Sequence, residues 1–141
     1  MMPFRVLGID HIVLRCENLA VMLDFYCATL GFEIAKRNDA LGLVHLRAST
    51  AMVDLVSLDG PLGRAGGTGP GAEGRNMDHL CLRIEPFDLP ELNSYFAARG
   101  IVLADLRTRF GAEGDGLSFY LEDPEGNRVE LKGPASPPAA S

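Results

Sequence analysis

The feature that most limits what this chain can fold into is an internal repeat. Ile9-Asp10-His11-Ile12-Val13-Leu14-Arg15 returns downstream as Met77-Asp78-His79-Leu80-Cys81-Leu82-Arg83. Val53-Asp54-Leu55 returns as Val129-Glu130-Leu131, at nearly the same distance from its histidine. Between these ends each half carries a helix pattern that stops at a glycine, Gly31 and Gly100. Three matches in the same order imply two copies of one module, residues 7–58 and 76–133. A chain of 141 residues then reads as a single domain (1–133) made of two small modules.

Each copy reads as strand, helix and three strands, an α+β pattern. In the first, Ile9–Cys16 is apolar at most positions on both faces, which predicts a strand covered on both sides. Leu19, Met22, Leu23, Tyr26 and Leu30 recur at helical spacing, with Asn18 as N-cap and Gly31 as the C-terminal left-handed residue. Residues 32–37, 43–47 and 51–58 follow as strands. In the second copy Asp88 and Glu91 have capping-box spacing, and Leu92 and Phe96 lie on the buried stripe. Residues 101–106, 117–122 and 128–132 are its strands, and Asp123-Pro124-Glu125-Gly126-Asn127 is a tight turn with Gly126 at positive φ.

Two segments stand outside the modules. Residues 60–75 hold seven of the sixteen glycines, too many to pack a core, and read as a linker or a lid over a site. They lack the GxxxxGK[ST] pattern of a phosphate loop. Residues 134–141 are a Pro/Ala/Ser tail, expected to be disordered.

Composition excludes several partners. Thirteen basic against nineteen acidic residues give a net charge of −6, which repels phosphate backbones, so no nucleic acid is expected. No run is apolar for long enough to span a membrane, and the first residues lack the apolar core of a signal peptide. Three cysteines without CxxC spacing read as reduced thiols in a cytoplasmic protein.

The repeat also pairs the residues that carry chemistry. His11 and His79 occupy equivalent places in the first strands, and Asp54 and Glu130 in the last. Two imidazoles and two carboxylates form a natural set for a divalent ion, be it zinc, nickel, cobalt, manganese or iron. Strands suit this because alternate side chains share a face, so each strand can send one ligand toward a common point. A histidine in an apolar strand can instead be an ordinary hydrogen-bonded core residue, and a lone aspartate an outward strand residue. An inward carboxylate, however, needs a partner. Cys81 shares a face with His79, as a lining residue or a small buried thiol, and Arg15 and Arg83 share faces with their histidines, as candidates to bind a substrate carboxylate or as solvated strand ends. His45 matches Tyr120 in the repeat and is set aside as a ligand.

These stretches resemble the vicinal oxygen chelate superfamily, also called the glyoxalase/bleomycin-resistance/dioxygenase family. Its marks are Asp10-His11-Ile12-Val13-Leu14, Leu23-Asp24-Phe25-Tyr26 with Leu30-Gly31-Phe32, Asp78-His79-Leu80-Cys81-Leu82, and the run from Phe119 to Glu130. The resemblance implies two βαβββ modules curling a mixed sheet into a cup. It implies metal ligands His11, Asp54, His79 and Glu130, with Glu130 as catalytic base. The ligand pattern is closest to glyoxalase I, which implies a metal-dependent lyase or isomerase of the lactoylglutathione lyase type. The substrate would be a small oxygenated chelator such as a methylglyoxal–thiol hemithioacetal. It departs in one respect, since Asp54 stands where glutamate is usual. The family also contains binding proteins that confer antibiotic resistance, thiol transferases and dioxygenases, and these stay open. A homodimer is expected, as in many small members.

Overall fold

The structure is a computed structural model that describes residues 1–137. The chain divides into two compact units, the first Met1–Asn76 and the second beginning at Met77. The first holds β1 (His11–Cys16), α1 (Leu19–Leu23), β2 (Glu33–Asn38), β3 (Leu43–Ala48), β4 (Ala51–Ser57) and α2 (Pro61–Ala65). The second holds β5 (Leu80–Arg83), α3 (Leu89–Ala97), β6 (Ala104–Gly111), β7 (Gly114–Glu122) and β8 (Arg128–Lys132). Each unit carries a four-stranded mixed sheet, in the orders β1-β4-β3-β2 and β5-β8-β7-β6. In both, the first strand runs parallel to the last and the other pairings are antiparallel. This is the strand, helix and three strands that the repeat implies, once in each unit.

Local chemistry sets the element ends. The Asn18 side chain accepts the Val21 N–H at 3.2 Å, and α1 runs on as a π-helical turn over Asp24–Thr29. That turn closes with the Phe32 N–H donating to the Tyr26 carbonyl at 2.9 Å around Gly31, whose φ of 80° a residue with a Cβ adopts only at a cost. Asp88 caps α3 by accepting the Glu91 N–H at 3.0 Å. In the turn before β8, Asp123 Oδ1 accepts the N–H groups of Glu125 and Asn127, and Gly126 takes φ of 82°.

The helices cover one face of each sheet. In unit 1 Leu14 and Cys16 of β1, Leu46 of β3 and Leu55 of β4 are buried, as are Met22, Phe25 and Tyr26 of the helical segment. In unit 2 Phe96 of α3 is buried, and so are Phe119, Leu121, Val129 and Leu131. Each such side chain contributes roughly 1.5–3 kcal/mol when fully removed from water. The expectation that β1 is covered on both sides is corrected here. Val13 on its second face is 44% exposed, and Ile9 lies outside the strand. Hydrophobicity at Val13 marks an open apolar surface instead of a second packed layer.

Three further details differ from the sequence reading. The glycine-rich run opens with a helix, α2, in which Pro61 takes the first helical position and Gly63 is buried. A Cβ at Gly63 would lie 2.1 Å from the Ser57 carbonyl oxygen, so glycine there allows close packing onto the end of β4. Beyond α2, the Arg15 guanidinium donates to the carbonyls of Gly67 and Thr68. The Asn76 side chain accepts the Arg15 N–H at 3.1 Å and donates to the Arg15 carbonyl at 3.0 Å, along the outer edge of β1. At the other end of the chain, the Ser136 N–H donates to the Asp115 carbonyl, while the rest of the expected tail, residues 138–141, lies outside the described residues.

Candidate functional site

Register decides what surrounds each candidate residue. In unit 1 β4 lies between β1 and β3, and Asp54 is paired with Val13 on one side and His45 on the other. Paired residues share a face, so Asp54, His45, Val13 and His11 all emerge on the face away from the helix. Asp54 is only 3% exposed. Its Oδ2 lies 3.0 Å from His45 Nδ1, and its Oδ1 is buried with no hydrogen-bond partner. His11 Nδ1 contacts Asp10 Oδ1 at 2.7 Å. That contact raises the imidazole above its ordinary pKa, burial offsets part of the rise, and the charge of Asp54 adds to it. The structure therefore brings His11 and Asp54 into electrostatic range and adds His45, which the sequence reading sets aside.

Unit 2 repeats the arrangement with different chemistry. Glu130 on β8 is paired with Cys81 on β5 and Tyr120 on β7, the counterparts of Val13 and His45. It is 6% exposed. Cys81 Sγ donates to Glu130 Oε2 at 2.7 Å, and Arg109 Nε lies 3.8 Å from Oε1. Burial pushes the Cys81 thiol up to about 12, and the hydrogen bond to Glu130 and its charge push the same way. Cys81 as a residue is exposed, but its sulfur turns onto the buried carboxylate. Burial, and then Glu130, also raises the Tyr120 hydroxyl. The Tyr120 ring holds the guanidinium carbons of Arg109 and Arg128 at 4.6 and 4.3 Å, and His79 meets it edge-on at 5.4 Å. His79 Nδ1 contacts Asp78 Oδ2 at 2.6 Å.

His79 and Glu130 line one cavity of about 480 Å³, together with Cys81, Arg109, Tyr120 and Lys132. The four expected ligands thus fall as two pairs, one in each unit. Among the described residues no three His, Cys, Asp or Glu side chains are grouped to hold a metal ion. The donor chemistry nevertheless fits a divalent cation. Asp54 Oδ1 is a buried carboxylate oxygen without a partner, which is costly unless something positive meets it. Glu130 has about four lone-pair positions and accepts hydrogen bonds from Cys81 and Tyr120, so it keeps acceptor capacity for an ion.

Sequence reasoning missed Arg109, because β6 was expected to end at Leu106 and instead runs to Gly111. The alternation of Arg107, Arg109 and Gly111 in a charged edge strand offers no hydrophobic period to read. His45 was detectable from its match to Tyr120, since both sit opposite the carboxylate across an antiparallel pair.

The fold and these two carboxylate-centred faces define a small αβ protein of the vicinal oxygen chelate class. The chain belongs to the Glyoxalase/Bleomycin resistance protein/Dioxygenase superfamily, whose profile matches residues 8–131. Among solved structures it is similar to an integron cassette protein from V. cholerae, with 22% identity over 94% of this chain and 98% of that chain and a TM-score of 0.70. A lactoylglutathione lyase from Agrobacterium tumefaciens matches at 21% identity, 91% and 94% coverage and a TM-score of 0.65. TnmS3, an antibiotic-binding protein from Streptomyces, matches at 18% identity, 96% and 100% coverage and a TM-score of 0.68. No curated protein matches the chain in sequence. At these identities the structural likeness speaks for the fold alone.

Proposed function

We propose that this chain is a metal-dependent lyase or isomerase of the glyoxalase I type. It would act in the cytoplasm on a small oxygenated substrate such as a methylglyoxal–thiol hemithioacetal. The observation that carries the reading is the unpartnered, buried Oδ1 of Asp54 beside two imidazoles. His11, Asp54, His79 and Glu130 would hold the ion. When bound, it supplies the positive charge that makes a proton next to a carbonyl easier to remove. The proton acceptor is Glu130, a buried carboxylate on the wall of the unit 2 cavity. Cys81 and Tyr120 orient it, and Arg109, itself anchored by Ser118 Oγ at 2.9 Å, fixes the other side. Three cysteines outside any disulfide suit a reducing compartment.

A second reading is a binding protein that sequesters a metabolite or antibiotic without chemistry. Its support is that Glu130 is already engaged by Cys81 and Arg109. Elemental analysis of the purified protein, followed by titration with zinc, nickel and cobalt, separates the two. One bound equivalent with turnover of the methylglyoxal–glutathione adduct supports the lyase. A protein that takes up none of these ions is not a metal enzyme, and the binding reading replaces it.

A further inference from the structure

The unit 2 cavity contains a charge that the proposed chemistry does not use. Lys132 follows Glu130 by two residues on β8, so both lie on one face. It is only 5% exposed, and a buried ammonium is costly unless its charge and its three donors are met. Among the described residues it donates to one acceptor, the Gly114 carbonyl at 3.0 Å. The other two cations on the cavity wall are committed. Arg83 is paired with Glu85 and Glu113, and Arg109 pairs with Asp105 at 3.0 Å and bonds to Ser118. Among the described residues Lys132 has no carboxylate within ion-pairing distance.

The β6–β7 hairpin is shaped around this side chain. A Cβ at Gly111 would lie 2.9 Å from Lys132 Cε, and one at Gly116 would lie 2.9 Å from Nζ. The end of the lysine side chain thus lies close against both glycines. The charge balance of the wall sets the valence of what could enter. With Arg83 and Arg109 committed to carboxylates, Lys132 is the one cation of the wall left to meet a ligand, which suits a single negative charge. A dianion would bring a second negative charge that this one ammonium cannot balance, close to Glu130.

We propose that this cavity is a monoanion site in which Lys132 binds the carboxylate of a small substrate or ligand. The site goes beyond the metal-dependent reading and stands without it, because none of its contacts passes through an ion. It narrows the substrate class to small molecules with one carboxylate, held by Lys132 at one end while the rest of the molecule reaches Glu130.

The test is titration calorimetry of the full chain, stripped of metal on a chelating resin, with pyruvate, pyruvamide and inorganic phosphate as probes. Pyruvate is expected to bind, and neutral pyruvamide at least about tenfold more weakly, since the charged hydrogen bond is lost. Lys132→Met should weaken pyruvate by a similar factor, whereas Lys36→Met on β2 should leave it unchanged. Glu130→Gln, which removes the neighbouring negative charge, should tighten it. The Lys132→Met protein replaces a buried charge by an apolar chain of like length and should stay folded; if it does not, the Glu130→Gln and pyruvamide arms still decide. The proposal is overturned if pyruvate and pyruvamide bind alike, if Lys132→Met binds pyruvate as the parent does, or if phosphate binds more tightly than pyruvate. Pyruvate binding that appears only after a divalent metal is added also overturns it. Failure to bind metal with pyruvate binding intact would count against the lyase reading alone.

Discussion

Asp54 carries the sharpest expectation at the scale of single residues. On the proposed metal reading, removing its carboxylate takes away one of two negative charges offered to the ion, so Asp54→Ala should weaken metal binding about tenfold or more, measured by competition with a chromophoric chelator. The folded stability of the metal-free protein should change little, because the lost contact of Oδ2 with His45 is offset by relief of the buried, unpartnered Oδ1. Asp54→Glu should keep the metal and keep or raise isomerase turnover. An Asp54→Glu protein that loses metal while Asp54→Ala keeps it would reduce the set to His11, His79 and Glu130. Cys81 gives a second test. Its thiol is held near 12 instead of the ordinary 9.0, so the thiolate is disfavoured in the folded chain. Alkylation at pH 8 should be markedly slower at Cys81 than at an ordinary exposed thiol, and Glu130→Gln should speed it. The linked stability has a definite sign. The folded state keeps a proton that the unfolded chain releases above pH 9, so this contribution is lost as pH rises from about 9 toward 12. Urea melts at pH 8 and pH 10 should show the fall in wild type and less of it in Cys81→Ala. The carboxylates and first-strand histidines were readable from the sequence because the repeat pairs them. Arg109 and Lys132 were not, since nothing in a sequence says which cation of a strand will be buried beside which acid.

Elements with a local signature were legible for a local reason. Asn18, Gly31, Asp88 and the Asp123–Asn127 turn act through bonds to neighbours a few residues away, which the spacing already encodes. Asn18→Ala should cost about 1 kcal/mol in thermal or chemical melts, the usual loss of an N-cap. Gly31→Ala should cost about 1–2 kcal/mol, because its φ of 80° is a left-handed conformation that strains any residue with a Cβ. What the pattern could not supply was β6. Its register shifts between Ala104 and Arg107, Asp105 takes φ of 60°, and most of its residues are exposed, so neither alternation nor apolar content marks its course. The open face of β1 was misjudged on the same ground, since a hydrophobicity pattern cannot distinguish a second packed layer from a surface left uncovered. The short helix α2 hides within glycines for a different reason. Its close packing at Gly63 on the Ser57 carbonyl needs the absence of a side chain, which composition alone reads as a linker.

For the whole molecule we propose a homodimer, and sedimentation at micromolar concentration should show it; a monomer that still binds metal would reject it. Added metal should raise the melting temperature in proportion to its preference for the folded chain, about 2.7 kcal/mol at a hundredfold excess over Kd. No helix among the described residues is long and apolar enough to cross a membrane. The bond from Asn76 to β1 bears on how many such molecules behave together. β1 is an outer strand, and an outer strand offers its backbone to any neighbouring chain. At Arg15 that offer is withdrawn, because one amide side chain occupies both the N–H and the carbonyl. Asn76→Ala should leave secondary structure intact and shorten the lag before turbidity appears in concentrated, warmed solution. A single asparagine would then be guarding the molecule against fibrillar association with its own kind.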